Sequence, residues 1–274
     1  MKELLQFELT RCFHGKKFLF ALTAGTAISI CHVIFSVFPL VQWLDSWQGD
    51  FFLTPHSVYG HWIGMDASTI WPTLLYLLFP LFAALPCADS TFWDFHSGYC
   101  MQIIIRGKKR HYLLAKWIAV FVSGALVVFV TLCFNFALCS LFLPMVRPEA
   151  LTNLYSIDGR SFLAQWFYTM PLLYTTVYIV LDSVFIGAWG CLVLASSVLL
   201  PNRLQSAISP FLFYLLTYFV FNWLHFDRFA LFAIALPFQP AQDVSLLTFF
   251  VYAFVVPCLS FFFYFQKRER SDVL

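Results

Sequence analysis

Charge is what this sequence has least of. Only 11% of its 274 residues are Asp, Glu, Lys or Arg, while 61% are hydrophobic. Soluble domains carry about 25% charged and about 45–50% apolar residues. So few charges cannot cover a water-facing surface, which excludes a soluble globular protein. Nucleotide-binding signatures are also missing. There is no G-x-x-x-x-G-K-[ST] and no Gly-rich turn after a strand. Any ATP used must therefore be bound by another polypeptide. No CxxC pair occurs among the eight cysteines, which are expected to be small apolar core residues without a disulfide framework. No G-x-S-x-G context supports a nucleophile. His56, His61 and Asp66 lack the spacing of a metal motif and are expected in a solvated loop, with His32 as an interior hydrogen-bonding group. No metal, no cofactor in this chain and no nucleic-acid partner are expected. Internal repeats and low-complexity tracts are absent. Residues 1–17 are too long and too acidic for a signal-peptide n-region, and no A-x-A site follows, so the first apolar run is expected to be a retained helix.

What remains is apolar length. A helix needs about 20 apolar residues to cross the bilayer core. Six runs qualify: Phe18–Val41, Ile70–Ala88, Leu113–Leu143, Met170–Leu200, Ala207–Leu224 and Val244–Phe265. The expected fold is an all-α polytopic membrane protein with one transmembrane domain over residues 1–274. Its orientation follows from the basic residues of the short loops. Lys2, Arg11, Lys16, Lys17, Arg106, Lys108, Lys109, Arg110, Lys116, Arg203, Lys267, Arg268 and Arg270 fall on one side. Only Arg147, Arg160 and Arg228 fall on the other. That asymmetry predicts both termini on the inner side of a plasma membrane. Trp43, Trp47, Trp62 and Trp71 then form an outer aromatic belt, and Trp93 and Trp117 an inner one. Residues 1–17 place Leu5, Leu9, Cys12 and Phe13 at helical spacing, as in an amphipathic lead-in lying on lipid. The segment 225–243 contains RFALFAIALPF, too short to span, with Pro237 and Pro240 after it, and is expected to re-enter from the outer side.

The stretch ADSTFWDFHSGYCMQIIIRGKKRHYLLAKW, residues 88–117, interrupts the apolar pattern. Asp89 or Ser90 can cap a short helix that Gly98 ends. Phe92, Phe95 and Tyr99 would share one face, with Trp93 and Asp94 around the cylinder. Two readings stand: an apolar knob offered to a partner, or an ordinary loop with belt aromatics. The basic residues Arg106, Lys108, Lys109 and Arg110 would meet anionic headgroups.

An acidic residue, a glycine four positions on, a short apolar stretch, a basic turn and YLLAKW opening the next span together resemble the permease subunits of ABC-2 type ATP-binding-cassette transporters. These are Asp94, Gly98, Ile103–Ile105, Arg106–Arg110 and Tyr112–Lys116. The family often has glutamate where this chain has Asp94, and the first two outer loops are long. The resemblance implies a coupling helix within residues 89–112, docked in a groove of a separate ATPase. It also implies two such cytoplasmic ATPase subunits carrying ATP and Mg, and a second permease subunit, identical or homologous. The chain itself would be a transporter subunit and not an enzyme, exporting an amphiphile such as a lipid, lipopeptide or antimicrobial peptide. Asp89, Phe92, Trp93, Asp94, Phe95, Tyr99 and the four basic residues become the coupling candidates.

Asp182 lies well inside the fourth run, where an ionisable group costs at least ~2.5 kcal/mol and should face the bundle or a cavity. It is either a polar point on a substrate path or a structural acid, protonated or hydrogen-bonded, facing Asn135 or a tyrosine. Ala21, Gly25 and Ser29 recur every fourth position and allow close helix approach. They fit either the contact with a second permease, as the resemblance implies, or packing within the chain. Two other function classes remain: an intramembrane enzyme centred on Asp182, and a non-transporting membrane sensor or scaffold.

Overall fold

A computed structural model describes residues 1–46, 56–97, 99, 102, 109–150, 155–200, 202–240, 244 and 246–270. All regular structure among them is helical. In chain order the helices are α1 (Lys2–Phe13), α2 (Lys16–His32), α3 (Phe38–Ser46), α4 (Val58–His61), α5 (Ile70–His96), α6 (Lys109–Phe142), α7 (Ala164–Thr169), α8 (Pro171–Gly190), α9 (Leu192–Leu199), α10 (Arg203–Trp223), α11 (Leu231–Ala235), α12 (Leu246–Phe250) and α13 (Val256–Arg270). A π turn, Val33–Val37, joins α2 to α3, and a second, Val251–Val255, joins α12 to α13.

Among the described residues, six helical segments are long and apolar enough to cross a membrane: Lys16–Leu44, Ile70–Cys87, Lys109–Phe142, Pro171–Leu199, Arg203–Trp223 and Leu247–Lys267. The chain is therefore a multi-pass membrane protein. The fourth span is the central one, with 72% of its most apolar window buried. The first, fifth and sixth are peripheral, at 28%, 22% and 28%. Their outer faces carry exposed Leu19, Phe20, Phe35, Leu212, Phe219, Phe254 and Phe262, which suits acyl chains and not water.

Small residues bring the inner spans together. A Cβ at Gly124 on α6 would lie 3.0 Å from Ala83 O on α5, and one at Gly187 on α8 only 2.9 Å from Phe121 O on α6. Only glycine admits these backbone approaches. The stripe Ala21, Gly25 and Ser29 is used in the same way. All three residues are buried against the bundle, and a Cβ at Gly25 would stand 2.7 Å from Thr131 Oγ1 on α6. The stripe is thus consumed within the chain and is not a surface for a second subunit.

Pro210 inside α10 has no N–H and frees the carbonyl of Ser206, four residues earlier. The hydroxyls of Ser196 and Ser209 donate to that carbonyl, each at 3.0 Å, so the break leaves no buried orphan. Residues 225–240 fold back onto the bundle through a 3₁₀ turn, Asp227–Phe229, and α11. Leu231, Ala233, Ile234, Ala235 and Leu236 are buried there.

Candidate functional site

Among the described residues, three polar clusters that contain a buried acid interrupt the apolar bundle. The first lies at the end where α1 packs. α1 directs Glu8 and Cys12 inward, one turn apart, with Arg11 beside them. α6 presents Tyr112 and Lys116, also one turn apart, and α5 supplies Asp94. Lys116 Nζ donates to Glu8 Oε2 at 2.9 Å and to Asp94 Oδ2 at 2.7 Å. Tyr112 OH donates to Asp94 Oδ2 at 2.7 Å, and Arg11 Nη1 pairs with Asp94 Oδ1 at 2.6 Å. Two acids face two bases, and Glu8, Asp94 and Lys116 are fully buried. Burial alone would lower the Arg11 pKa, but the adjacent Asp94 carboxylate outweighs it and raises the value. Tyr99 lies beneath the Arg11 guanidinium, 5.1 Å from ring centroid to Cζ.

This geometry corrects three expectations. No separate helix is capped at Asp89 or Ser90, because α5 runs unbroken from Ile70 to His96 and ends at Ser97. A helix already formed in the membrane simply continues through the polar residues. Asp94 is not a surface charge for a partner, since α1 covers it and three donor groups of α1 and α6, those of Arg11, Tyr112 and Lys116, hold it. Trp93, its neighbour, is 51% exposed and remains a surface aromatic. The cysteines are not all unpaired core residues either. Cys12 and Cys87, 75 residues apart, form a disulfide between α1 and α5 with Cα atoms 5.8 Å apart. Lys109 and Arg110 open α6. The side chains of Asp89, Phe92 and Phe95, with residues Gly98, 103–105, Arg106 and Lys108, lie outside the described residues.

The second cluster lies toward the opposite end. Residues 56–69 enter the bundle instead of forming a solvated loop, and Trp62, expected in the outer belt, is fully buried with Ile63. Asn135 Oδ1 on α6 accepts from Ile63 N at 2.8 Å. Its Nδ2 donates to Ser29 O at 3.3 Å and to His32 Nδ1 at 3.2 Å. His32 Nδ1 is therefore the acceptor, and its Nε2–H donates to Asp66 Oδ2 at 3.2 Å. Asp66 also accepts from Ser68 N, from the Ser68 hydroxyl and from the Thr69 hydroxyl. Burial alone would raise the Asp66 pKa, yet these hydrogen bonds hold it down at about 2. His56 Nδ1 and His61 Nε2 are 2.7 Å apart. Burial, together with His56, lowers the His61 pKa to about 4, and burial lowers that of His56. Among the described residues no group of three or more His, Cys, Asp or Glu is arranged to hold a metal ion.

The third cluster is Asp182, fully buried on α8, whose Oδ2 accepts from Tyr76 OH on α5 at 3.0 Å. Of the two partners expected for it, the structure gives the tyrosine. Asn135 belongs to the second cluster and does not share a site with Asp182. No second acid or histidine is hydrogen-bonded to Asp182, so the described residues assemble no acid–base pair around it.

Glu8, Tyr112, Lys116 and Asp66 carry much of this polar structure, and sequence reasoning gave none of them a site role, whereas His32 is the interior hydrogen-bonding group expected of it. A signal existed for Lys116. A lysine set among Leu113, Leu114, Ala115, Trp117 and Ile118 requires a buried partner.

Compared with protein-family models, curated proteins and solved structures, the chain matches none.

Proposed function

We propose that this chain is the membrane-spanning half of an ATP-driven exporter of the ABC-2 type, moving an amphiphile. One observation carries the reading. The second span does not stop at the membrane. α5 continues to His96, and the buried Asp94–Lys116–Glu8–Arg11 cluster clamps its projecting end to α1 and to the start of α6. Three helices thereby become one stiff corner that displays Trp93 and leads into the basic segment around Arg106–Arg110. A push on that corner moves the second and third spans together instead of bending a loose loop. Such a corner suits a part driven from outside the membrane by a separate ATPase. In this reading α1 serves as a strut and Asp94 as its anchor, while Trp93 and the basic segment make the contact. Two cytoplasmic ATPase subunits would bring ATP and Mg, and the peripheral first, fifth and sixth spans are the faces left for lipid and for a second permease. The basic residues near the α1 end support a cytoplasmic side for that end in this reading.

Purification of the tagged chain from its native membrane tests this. A nucleotide-hydrolysing subunit is expected in stoichiometric amount, and Trp93→Ala is expected to reduce it, as loss of an aromatic anchor does by roughly 2–4 kcal/mol. A chain that purifies without any ATP turnover, wild type and mutant alike, refutes the reading.

A further inference from the structure

The bonds that hold residues 56–69 are not those of an ordinary loop. A connecting segment normally stays on the surface because its backbone polar groups need water. Here the segment descends between the first, third and fourth spans. α4 packs on α6 and α8, and Trp62, Ile63, Met65 and Asp66 lie buried beyond it. Asn135, which receives Ile63 N, stands seven residues before Phe142, the end of α6, so the segment reaches about 10 Å below that end. Val58 N donates to Pro144 O at 3.1 Å at the rim.

The floor of this seat is built from polar groups of the spans themselves. His32 and Asn135 lie inside spans, where polar side chains are costly and face the interior or a water-filled path. With the segment seated, each is satisfied by it: His32 by Asp66 and Asn135 by Ile63. A seat made only to anchor a permanent core would be more stable if apolar. Polar walls suit a seat that is also used wet. The π turn Val33–Val37 begins directly after His32, and such turns accompany functional positions in helices.

We propose that residues 56–69 form a movable plug, latched by His32–Asp66 and Asn135–Ile63, that closes the bundle opposite the α1 end and lifts to admit passage of an amphiphile. The passage rests on the exporter reading; the plug and its latch do not.

Cys139 reports the movement. It is fully buried one turn beyond Asn135, with its Sγ 3.9 Å from His61 O under the plug. Cys191, equally buried, lies in the apolar cluster that contains Cys12, Cys87 and Tyr112, toward the α1 end, and serves as the control. Two backgrounds are needed, each retaining one of these thiols and lacking the other cysteines. Each is treated in membranes with a small charged methanethiosulfonate. In the wild-type plug Cys139 should react slowly. Asp66→Ala, on the plug side, and His32→Leu, on the span side, should each raise its rate about tenfold or more, as loss of one ordinary buried polar contact does. Cys191 should stay protected. An unchanged Cys139 rate in both variants overturns the plug. So does parallel opening of Cys191, because the segment would then be inseparable from the core. With the ATPase bound, turnover should raise Cys139 labelling in the unmutated plug. If the variants open but turnover does not, the plug stands and the ATP-driven reading falls.

Discussion

Lys116 Nζ lies 2.7 Å from Asp94 Oδ2, and neither side chain is reached by solvent. An ion pair removed from water costs several kcal/mol per ion to desolvate, and mutual attraction with further hydrogen bonds must offset it. Here Glu8, Arg11 and Tyr112 supply those bonds, and all three come from helices other than the one that carries Asp94. The cluster is therefore a joint whose stability depends on α1 being in place.

Asp94→Ala should cost about 3–5 kcal/mol, the range for a buried pair that loses one member. Lys116 would keep only Glu8, and Arg11 would lose its partner. Trp93→Ala, one residue away and exposed, should change stability by less than about 0.5 kcal/mol. Denaturant unfolding in detergent measures both. Equal losses at the two positions would mean that the cluster does not clamp α5. The joint replacement Asp94→Leu with Lys116→Met should recover much of the single-mutant loss, since an apolar pair leaves no uncompensated charge. Limited proteolysis within α1 provides a second readout. Cleavage should accelerate in Asp94→Ala and return toward the wild-type rate in the double variant.

Acid should loosen the opposite end before it touches the rest. His61 titrates at about 4 in the folded chain and His56 is also lowered, against about 6.5 for a free imidazole. The unfolded segment then binds more protons between those values. The contribution is complete above about 6.5 and is lost as pH falls through about 4. Asp66, held at about 2, adds a further loss only below its ordinary 3.8. The groups facing this pair are His32 on α2 and Asp66 on the plug itself. Amide protection factors at residues 58–66, exchange rates divided by the intrinsic rate at each pH, should fall as pH is lowered from 7 to 4. His61→Gln should flatten the profile. A profile that is already flat in the wild type would mean that His56 and His61 do not help to hold the segment in its seat.

How much of this was legible in sequence depended on the range of the forces. Bilayer thickness acts on contiguous residues, so Ile70–Ala88 and Met170–Leu200 anticipate the spans Ile70–Cys87 and Pro171–Leu199 almost residue for residue. Pairings across the chain leave no such trace. Lys116 meets Glu8 at a separation of 108 residues and Asn135 meets His32 at 103. Their apolar surroundings mark Lys116, His32 and Asn135 as interior, but no local pattern names the partner of any of them. Asp89 and Ser90 misled for a local reason. They are good caps when a helix must start, but α5 had already started at Ile70. The stripe Ala21, Gly25 and Ser29 announced close packing correctly without saying whose backbone approaches.

Asp182 should prove a modest structural acid in stability measurements. Its one hydrogen-bond partner among the described residues is Tyr76, and interhelical hydrogen bonds in membrane proteins average about 0.6 kcal/mol. Asp182→Leu removes the acceptor for Tyr76 OH, and Tyr76→Phe removes the donor. A double-mutant cycle on thermal unfolding should give a coupling below about 1.7 kcal/mol, the upper end for such bonds. A much larger coupling would mean that Asp182 is bound into a wider network than the Tyr76 contact.

Orientation is tested by two exposed positions at opposite ends. The proposed topology puts the α1 end, with most of the basic residues, on the cytoplasmic side. Ser97 lies exposed there, just beyond α5. Gly159 lies exposed in the connection between the third and fourth spans, and a Cβ added there meets nothing within 4 Å. Each is replaced by cysteine in a background without the native cysteines, and intact cells are treated with a thiol reagent that cannot cross membranes. Gly159→Cys should be labelled at once, and Ser97→Cys only after the cells are permeabilised. Both sites are open to solvent, so exposure cannot produce the difference, and only the membrane can. The reverse pattern would put Trp93 and the Asp94 joint outside the cell, where no cytoplasmic ATPase could reach them. The chain would then have to be read as a receptor or scaffold facing outward.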